Sequence, residues 1–178
     1  KSAYKLAMHD HNINFAVGAS ITNSDGARTL WNCVWNSGVP QKMKITSSKA
    51  VTGTLPTQQC KRYMHLSNRS TCPLCGVEEE GTFRALTSCM HARSLWVHMR
   101  KRWPIPGDDL LIDNGKEWFM HLLYGCSEDV RDMLIMMIWQ IWAIWQLRND
   151  ITHGKDLPPI LTTVEVLDSY FKSIKLAG

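Results

Sequence analysis

The chain has 178 residues, 44% of them hydrophobic and 20% charged, enough apolar material for a sizeable core and too much for a disordered chain. Eight tryptophans beside four tyrosines and four phenylalanines point to packing by large rings rather than to chemistry. The net charge of +4 is unevenly spread: residues 41–102 hold eleven Lys/Arg against Glu78, Glu79 and Glu80, a net of +8 that leaves the rest acidic.

In chain order, residues 1–8 read as a short helix with Tyr4 and Met8 on one face, and residues 10–29 as a polar Gly/Asn/Ser-rich loop. The start at Lys1 reads as that of a segment cut from a longer chain, and it has no secretory leader pattern. Trp31, Val34 and Trp35 stand at helical spacing before Gly38 and Pro40. Lys42 to Val51 can continue as helix, with Thr46, Ser47 and Ser48 making its inner face unusually polar. Thr57 is placed to cap a helix through Lys61 and Tyr63. A turn-rich stretch from Thr71 to Cys89 follows. Beyond it, Ala92, Leu95, Trp96 and Met99 share one helical face up to Pro104 and Pro106.

Trp118 to Tyr124 reads as a further short helix, and Ser127-Glu128-Asp129 opens the longest one. Its apolar stretch, Met133–Leu147, contains Gln140 and Gln146 and falls short of the about 20 residues a membrane span needs. Ile135, Ile138, Trp142 and Trp145 form a stripe that Met137, Ile141 and Ile144 broaden, the pattern of a core helix or of half an interface. Pro158-Pro159 marks a linker, and Val166, Tyr170 and Ile174 lie four apart in an amphipathic tail. The expected class is mainly α: a small helical domain with a short zinc-knuckle-like hairpin or turn insertion. The expected division is 1–105, then a Trp-rich helical extension over 106–155, then a linker and short helix over 156–178.

Six cysteines in a chain expected to be intracellular, nuclear or cytoplasmic, favour metal binding or free thiols over disulfides. Cys72-Pro73-Leu74-Cys75, followed by Gly76, can bend round one tetrahedral zinc as a knuckle, and Cys89 offers a third thiolate just before a helix. For a fourth ligand the spacing leaves His91, His65 and Cys60 open. Ordinary free cysteines near a surface loop are the competing reading.

Several runs together resemble a known family. Trp31, Trp35, Val39-Pro40-Gln41-Lys42-Met43-Lys44-Ile45, Leu55-Pro56-Thr57 and Lys61-Arg62 are similar to the reverse-transcriptase zinc-binding domain of plant LINE-type (non-LTR) retrotransposons. So are Cys72-Pro73-Leu74-Cys75-Gly76, Glu79-Glu80, Phe83, Cys89 and His91-Ala92-Arg93-Ser94-Leu95-Trp96. Trp145-Gln146-Leu147-Arg148-Asn149 resembles a signature that follows the domain, and Ser2-Ala3-Tyr4 its usual beginning. The resemblance implies zinc held through Cys-x2-Cys…His-x4-Cys, with Cys72, Cys75 and Cys89 in three of those positions. The histidine position is Arg84, which cannot ligate because its guanidinium stays protonated. His91 is then the best available fourth ligand. Thr46 and Ser48 replace the family's large rings, and with Arg84 they give the chain the look of a degenerate copy.

The expected function is a non-catalytic nucleic-acid-binding or structural module of a retrotransposon polyprotein. Its expected partners are RNA or DNA and the reverse transcriptase and RNase H domains of the same polyprotein, with no membrane. Lys61, Arg62, Arg69, Arg84, Arg100, Lys101 and Arg102 would meet phosphates, and Trp103 would stack on a base. A zinc-free spacer, or a protein-interaction module built on the Trp-rich helix, is the alternative. No clustered carboxylates or activated nucleophile suggest an enzyme.

Overall fold

The computed structural model describes residues 32, 34–113, 118–119 and 130–177. The expected helix over 1–8, the loop over 10–29, Trp31 and the helix start at 127–129 lie outside them. The architecture is mainly helical, and an isolated antiparallel bridge, Thr71 to Glu79, is its one β feature among the described residues. None of the described helices is long and apolar enough to cross a membrane.

Helix α1 spans Gln41–Thr52. Pro40 precedes it with φ already near the helical value, and Gly53 ends it at φ 66, its amide donating to the Ala50 carbonyl. Met43, Ser47, Ala50 and Val51 are buried at the i, i+4, i+7, i+8 spacing of one helical face. The polar inner face foreseen for this helix narrows to Ser47, whose hydroxyl is buried without a hydrogen-bond partner among the described residues. Thr46 and Ser48 stay half-buried, so replacing large rings there costs less than a fully buried site would.

Helix α2, Gln58–Tyr63, starts as expected from Thr57, whose hydroxyl accepts from the Cys60 amide at 3.2 Å. A hairpin over Ser70–Glu80 follows, then a π-helical turn, Arg84–Ser88, and helix α3, Met90–Arg100. Ala92, Leu95, Trp96 and Met99 form the buried face of α3, as the periodicity predicts. The Trp96 indole donates to the Leu86 carbonyl at 2.8 Å and locks α3 onto the π-turn.

Helix α4, Val130–Thr152, runs through the centre of the molecule. Ile135, Met136, Met137, Ile138, Ile141, Ile144 and Trp145 are all buried, and α4 packs on α1, α3 and the π-turn. Of the expected stripe, Ile135, Ile138 and Trp145 are buried in the core and Trp142 is half-buried. Helix α5, Ile160–Ala177, packs on α3 and α4. Its buried face is Val164, Leu167 and Phe171, whereas Val166 and Tyr170, expected inside, are each 48% exposed; the Ile174 side chain lies outside the described residues. Two apolar stripes run along this helix. The Phe171 ring meets Trp103 edge-on at 4.1 Å, while the half-exposed Tyr170 stacks on Trp139 at 4.7 Å. Buried residues from Val34 to Phe171 form one hydrophobic cluster.

One ion pair ties the hairpin to α4. Arg148 on α4 donates through Nε and a terminal nitrogen to both carboxylate oxygens of Glu80, and both side chains are essentially inaccessible to solvent. The Trp145 ring lies 4.9 Å from the guanidinium, and the Gln58 amide donates to Glu80 Oε2 at 2.9 Å. Burial pushes Arg148 down to about 10, still charged at neutral pH, against the opposing pull of Cys72. Arg148→Met leaves Glu80 buried and unpaired, and should cost about 3–5 kcal/mol in urea denaturation. The double change Glu80→Gln with Arg148→Met should recover much of that loss; an unchanged unfolding midpoint in the single variant would show that the pair carries no such constraint.

Candidate metal centre

The hairpin is built to turn back on itself at the cysteines. The Cys72 amide donates to the Glu78 carbonyl at 2.9 Å, the Glu80 amide to Ser70 at 2.8 Å, and the Gly76 amide to Cys72 at 2.8 Å. Gly76 sits at φ 66, a left-handed conformation that glycine adopts without the clash a side chain brings. The third cysteine arrives from the other side. The π-turn closes with the Cys89 amide on the Arg84 carbonyl, and Cys89 in extended backbone then opens α3.

These two pieces bring Cys72, Cys75 and Cys89 together, their sulfurs within 4.8 Å of one another. Cys72 and Cys89 are buried and 3.7 Å apart, while Cys75 is half-buried. Tetrahedral zinc with Zn–S bonds of about 2.3 Å sets its sulfurs about 3.8 Å apart, so the spacing suits the ion. The hydrogen bond with Cys89 lowers the Cys72 thiol, against its burial and helped by the Cys75 and Leu74 amides. The same bond and burial raise Cys89, while the His91 amide favours its thiolate. Backbone amides aimed at sulfur are what a thiolate centre requires.

The fourth ligand foreseen from the sequence does not take its place. The His91 imidazole is not among the atoms gathered at the cluster; the residue lines a small apolar pocket with Leu74, Leu95 and Leu157. Its position in the first turn of α3 sends its amide, not its ring, to Cys89. His65 and Cys60 also stand outside the cluster. Arg84 is the neighbour that does reach it, donating to Cys75 Sγ at 3.6 Å while pairing with Glu78. Burial works against its charge, but Cys75 and Glu78 more than offset this and raise the guanidinium above its ordinary value. Among the described residues, three cysteines could hold zinc, with an obligate cation, Arg84, beside Cys75.

Residues 1–96 match the family described as zinc-binding in reverse transcriptase. The chain belongs to that family. No curated protein and no solved structure matches it. Its family match ends inside α3, yet the buried partner of Glu80 comes from α4, so the folded unit extends well beyond the matched residues.

The basic residues expected to meet nucleic acid are mostly engaged within the chain. Arg62 pairs with Glu79 at 3.1 Å, Arg100 with Asp108 at 2.7 Å, and Arg102 with Asp168 at 3.4 Å. Trp103 is half-buried, its indole donating to Asp168 at 3.0 Å and its ring set against Phe171. Lys61, Arg69 and Lys101 have no carboxylate partner among the described residues.

Arg84→His should raise zinc affinity by about tenfold or more, because a neutral imidazole replaces a cation next to Cys75. Titration against a competing chelator measures it. Equal affinity before and after would mean that residue 84 does not face the ion.

Proposed function

We propose that the chain is a non-catalytic structural module of a plant LINE-type reverse transcriptase polyprotein. In this reading it holds zinc and presents a modest cationic surface to RNA or DNA. The observation that supports it is the three-cysteine cluster, fixed to a large helical core through Glu80 and Arg148. When bound, zinc would cross-link the hairpin to the start of α3 through Cys72, Cys75 and Cys89. The protein's own groups orient those sulfurs: the Leu74, Cys75 and His91 amides point at them, and Gly76 shapes the turn.

The module reads as non-catalytic because its buried carboxylate, Glu80, is consumed by a structural ion pair. An intracellular place, nuclear or cytoplasmic, accords with thiols left unbridged at the cluster. The neighbouring polymerase and RNase H domains of such a polyprotein are its natural partners.

Nucleic-acid contact falls to Lys61, Arg69 and Lys101, since the other foreseen arginines already hold carboxylates. Binding to single-stranded RNA should be weak, sequence-tolerant and salt-dependent. Each phosphate contact contributes about −0.7 to the slope of log K against log salt, so changing all three to Ala should flatten it by about 2. Changing Arg100 and Arg102 instead should move the slope little, and circular dichroism should accompany it because Arg100 is the last residue of α3 and Arg102 follows its cap. Binding indifferent to the Lys61, Arg69 and Lys101 changes would leave the module a spacer.

A further inference from the structure

Helix α2 ends in a tight reversal that turns an aromatic ring out to solvent. The Leu66 amide donates back to the Lys61 carbonyl at 2.8 Å and the His65 amide to the Arg62 carbonyl at 3.0 Å, with His65 at φ 55. This is the left-handed cap that a glycine usually fills, and His65 is the one non-glycine at positive φ among the described residues. Just beyond it, the Ser67 hydroxyl accepts from the Arg69 amide at 3.1 Å and holds the next bend. The reversal leaves Tyr63 81% exposed, the highest value for a large apolar side chain among the described residues, and Leu66 64% exposed. The Tyr63 ring meets no other described ring.

A single exposed aromatic needs no explanation by itself, but its setting here does. Lys61 and Arg69, on either side of Tyr63 in the chain, have no carboxylate partner among the described residues. The carboxylate that reaches this turn, Glu79, is held by Arg62, whose same nitrogen also donates to the Ser70 hydroxyl, both at 3.1 Å. Arg62 thereby anchors the turn to the hairpin that carries Cys72 and Cys75. Free cations around an open ring are the two parts of a surface for single-stranded nucleic acid: the charges meet phosphates, and the ring takes the face of any base. A duplex keeps its bases stacked inside and has no face to offer. Trp103, foreseen for such a contact, is closed to it, because its indole donates to Asp168 and its ring is set against Phe171.

We propose that Tyr63 is the residue on which an unpaired base of RNA or DNA stacks, with Lys61 and Arg69 meeting the neighbouring phosphates. The assignment rests on the nucleic-acid reading above and adds the base contact that cations alone do not provide. It also sets a preference for single over double strands.

The test is fluorescence anisotropy of a labelled oligouridylate, and of an RNA duplex of matched length, with the full chain as wild type, Tyr63→Phe, Tyr63→Ala and Leu161→Ala. Tyr63→Ala should weaken single-strand binding by about tenfold, and Tyr63→Phe should stay within about twofold. The slope of log K against log salt should not change in Tyr63→Ala, because a stacked ring releases no counterions. Leu161→Ala trims another exposed apolar side chain and should also stay within about twofold. Duplex binding should be the weaker and indifferent to Tyr63→Ala. A strand carrying 5-iodouridine should photocrosslink to the peptide that contains Tyr63, and circular dichroism should show every variant folded. Unchanged single-strand affinity in Tyr63→Ala, an equal loss in Leu161→Ala, or a flattened slope overturns the stacking assignment while leaving the cationic contacts in place. Self-association that Tyr63→Ala abolishes makes the turn a contact between copies and overturns it too. A wild-type chain that binds no single strand even at low salt overturns the nucleic-acid reading itself, and this assignment with it.

Discussion

The Glu80–Arg148 pair is the constraint on which the rest of this structure hangs. Two charges taken fully out of water are costly, and their attraction offsets that cost only with good geometry and further hydrogen bonds. Here both carboxylate oxygens meet guanidinium nitrogens, the Gln58 amide adds a third donor, and the Trp145 ring covers the cation. Meeting all these conditions at once fixes the hairpin, the start of α2 and the last turns of α4 relative to one another. An apolar contact would tolerate a slip of one residue along α4; this pair does not.

That constraint also decides where the cysteines stand. Glu80 lies at the foot of the hairpin whose turn carries Cys72 and Cys75, and Cys89 is delivered by the π-turn that packs on α4. The metal cluster is thus assembled from two short segments with little regular structure of their own, each seated on the same helix. Arg148 is close enough for Cys72 to act on its charge. The site and the core are one construction, although the family match stops at residue 96.

Features set by local spacing were legible in the sequence. The Thr57 cap, the buried face of α3 and the stop at Pro104 depend on residues a turn or two apart. The cysteine grouping was legible too, because knuckle spacing is itself a local rule. What escaped were pairings across the chain. Arg148 sits at the end of an apolar run, and only Glu80, 68 positions away, makes it a core residue. Asp168 is 66 positions from Arg102, so charge counting took that arginine for free surface. In α5 two apolar stripes run side by side, and only packing on α3 and α4 decides that Val164, Leu167 and Phe171 are the buried one.

The same long-range pairing bears on what the net charge of +8 over residues 41–102 can do. Charge density on a chain attracts phosphate only where the cations are not already answered by fixed carboxylates. Asp168 alone engages Arg102, Trp103 and Lys172, and those partners hold its carboxyl below the ordinary range, with Lys172 the strongest influence. A phosphate would have to displace that carboxylate to reach Arg102, losing much of what it gained. Lys61, Arg69 and Lys101 face no such competitor among the described residues, and any nucleic-acid contact is concentrated on them.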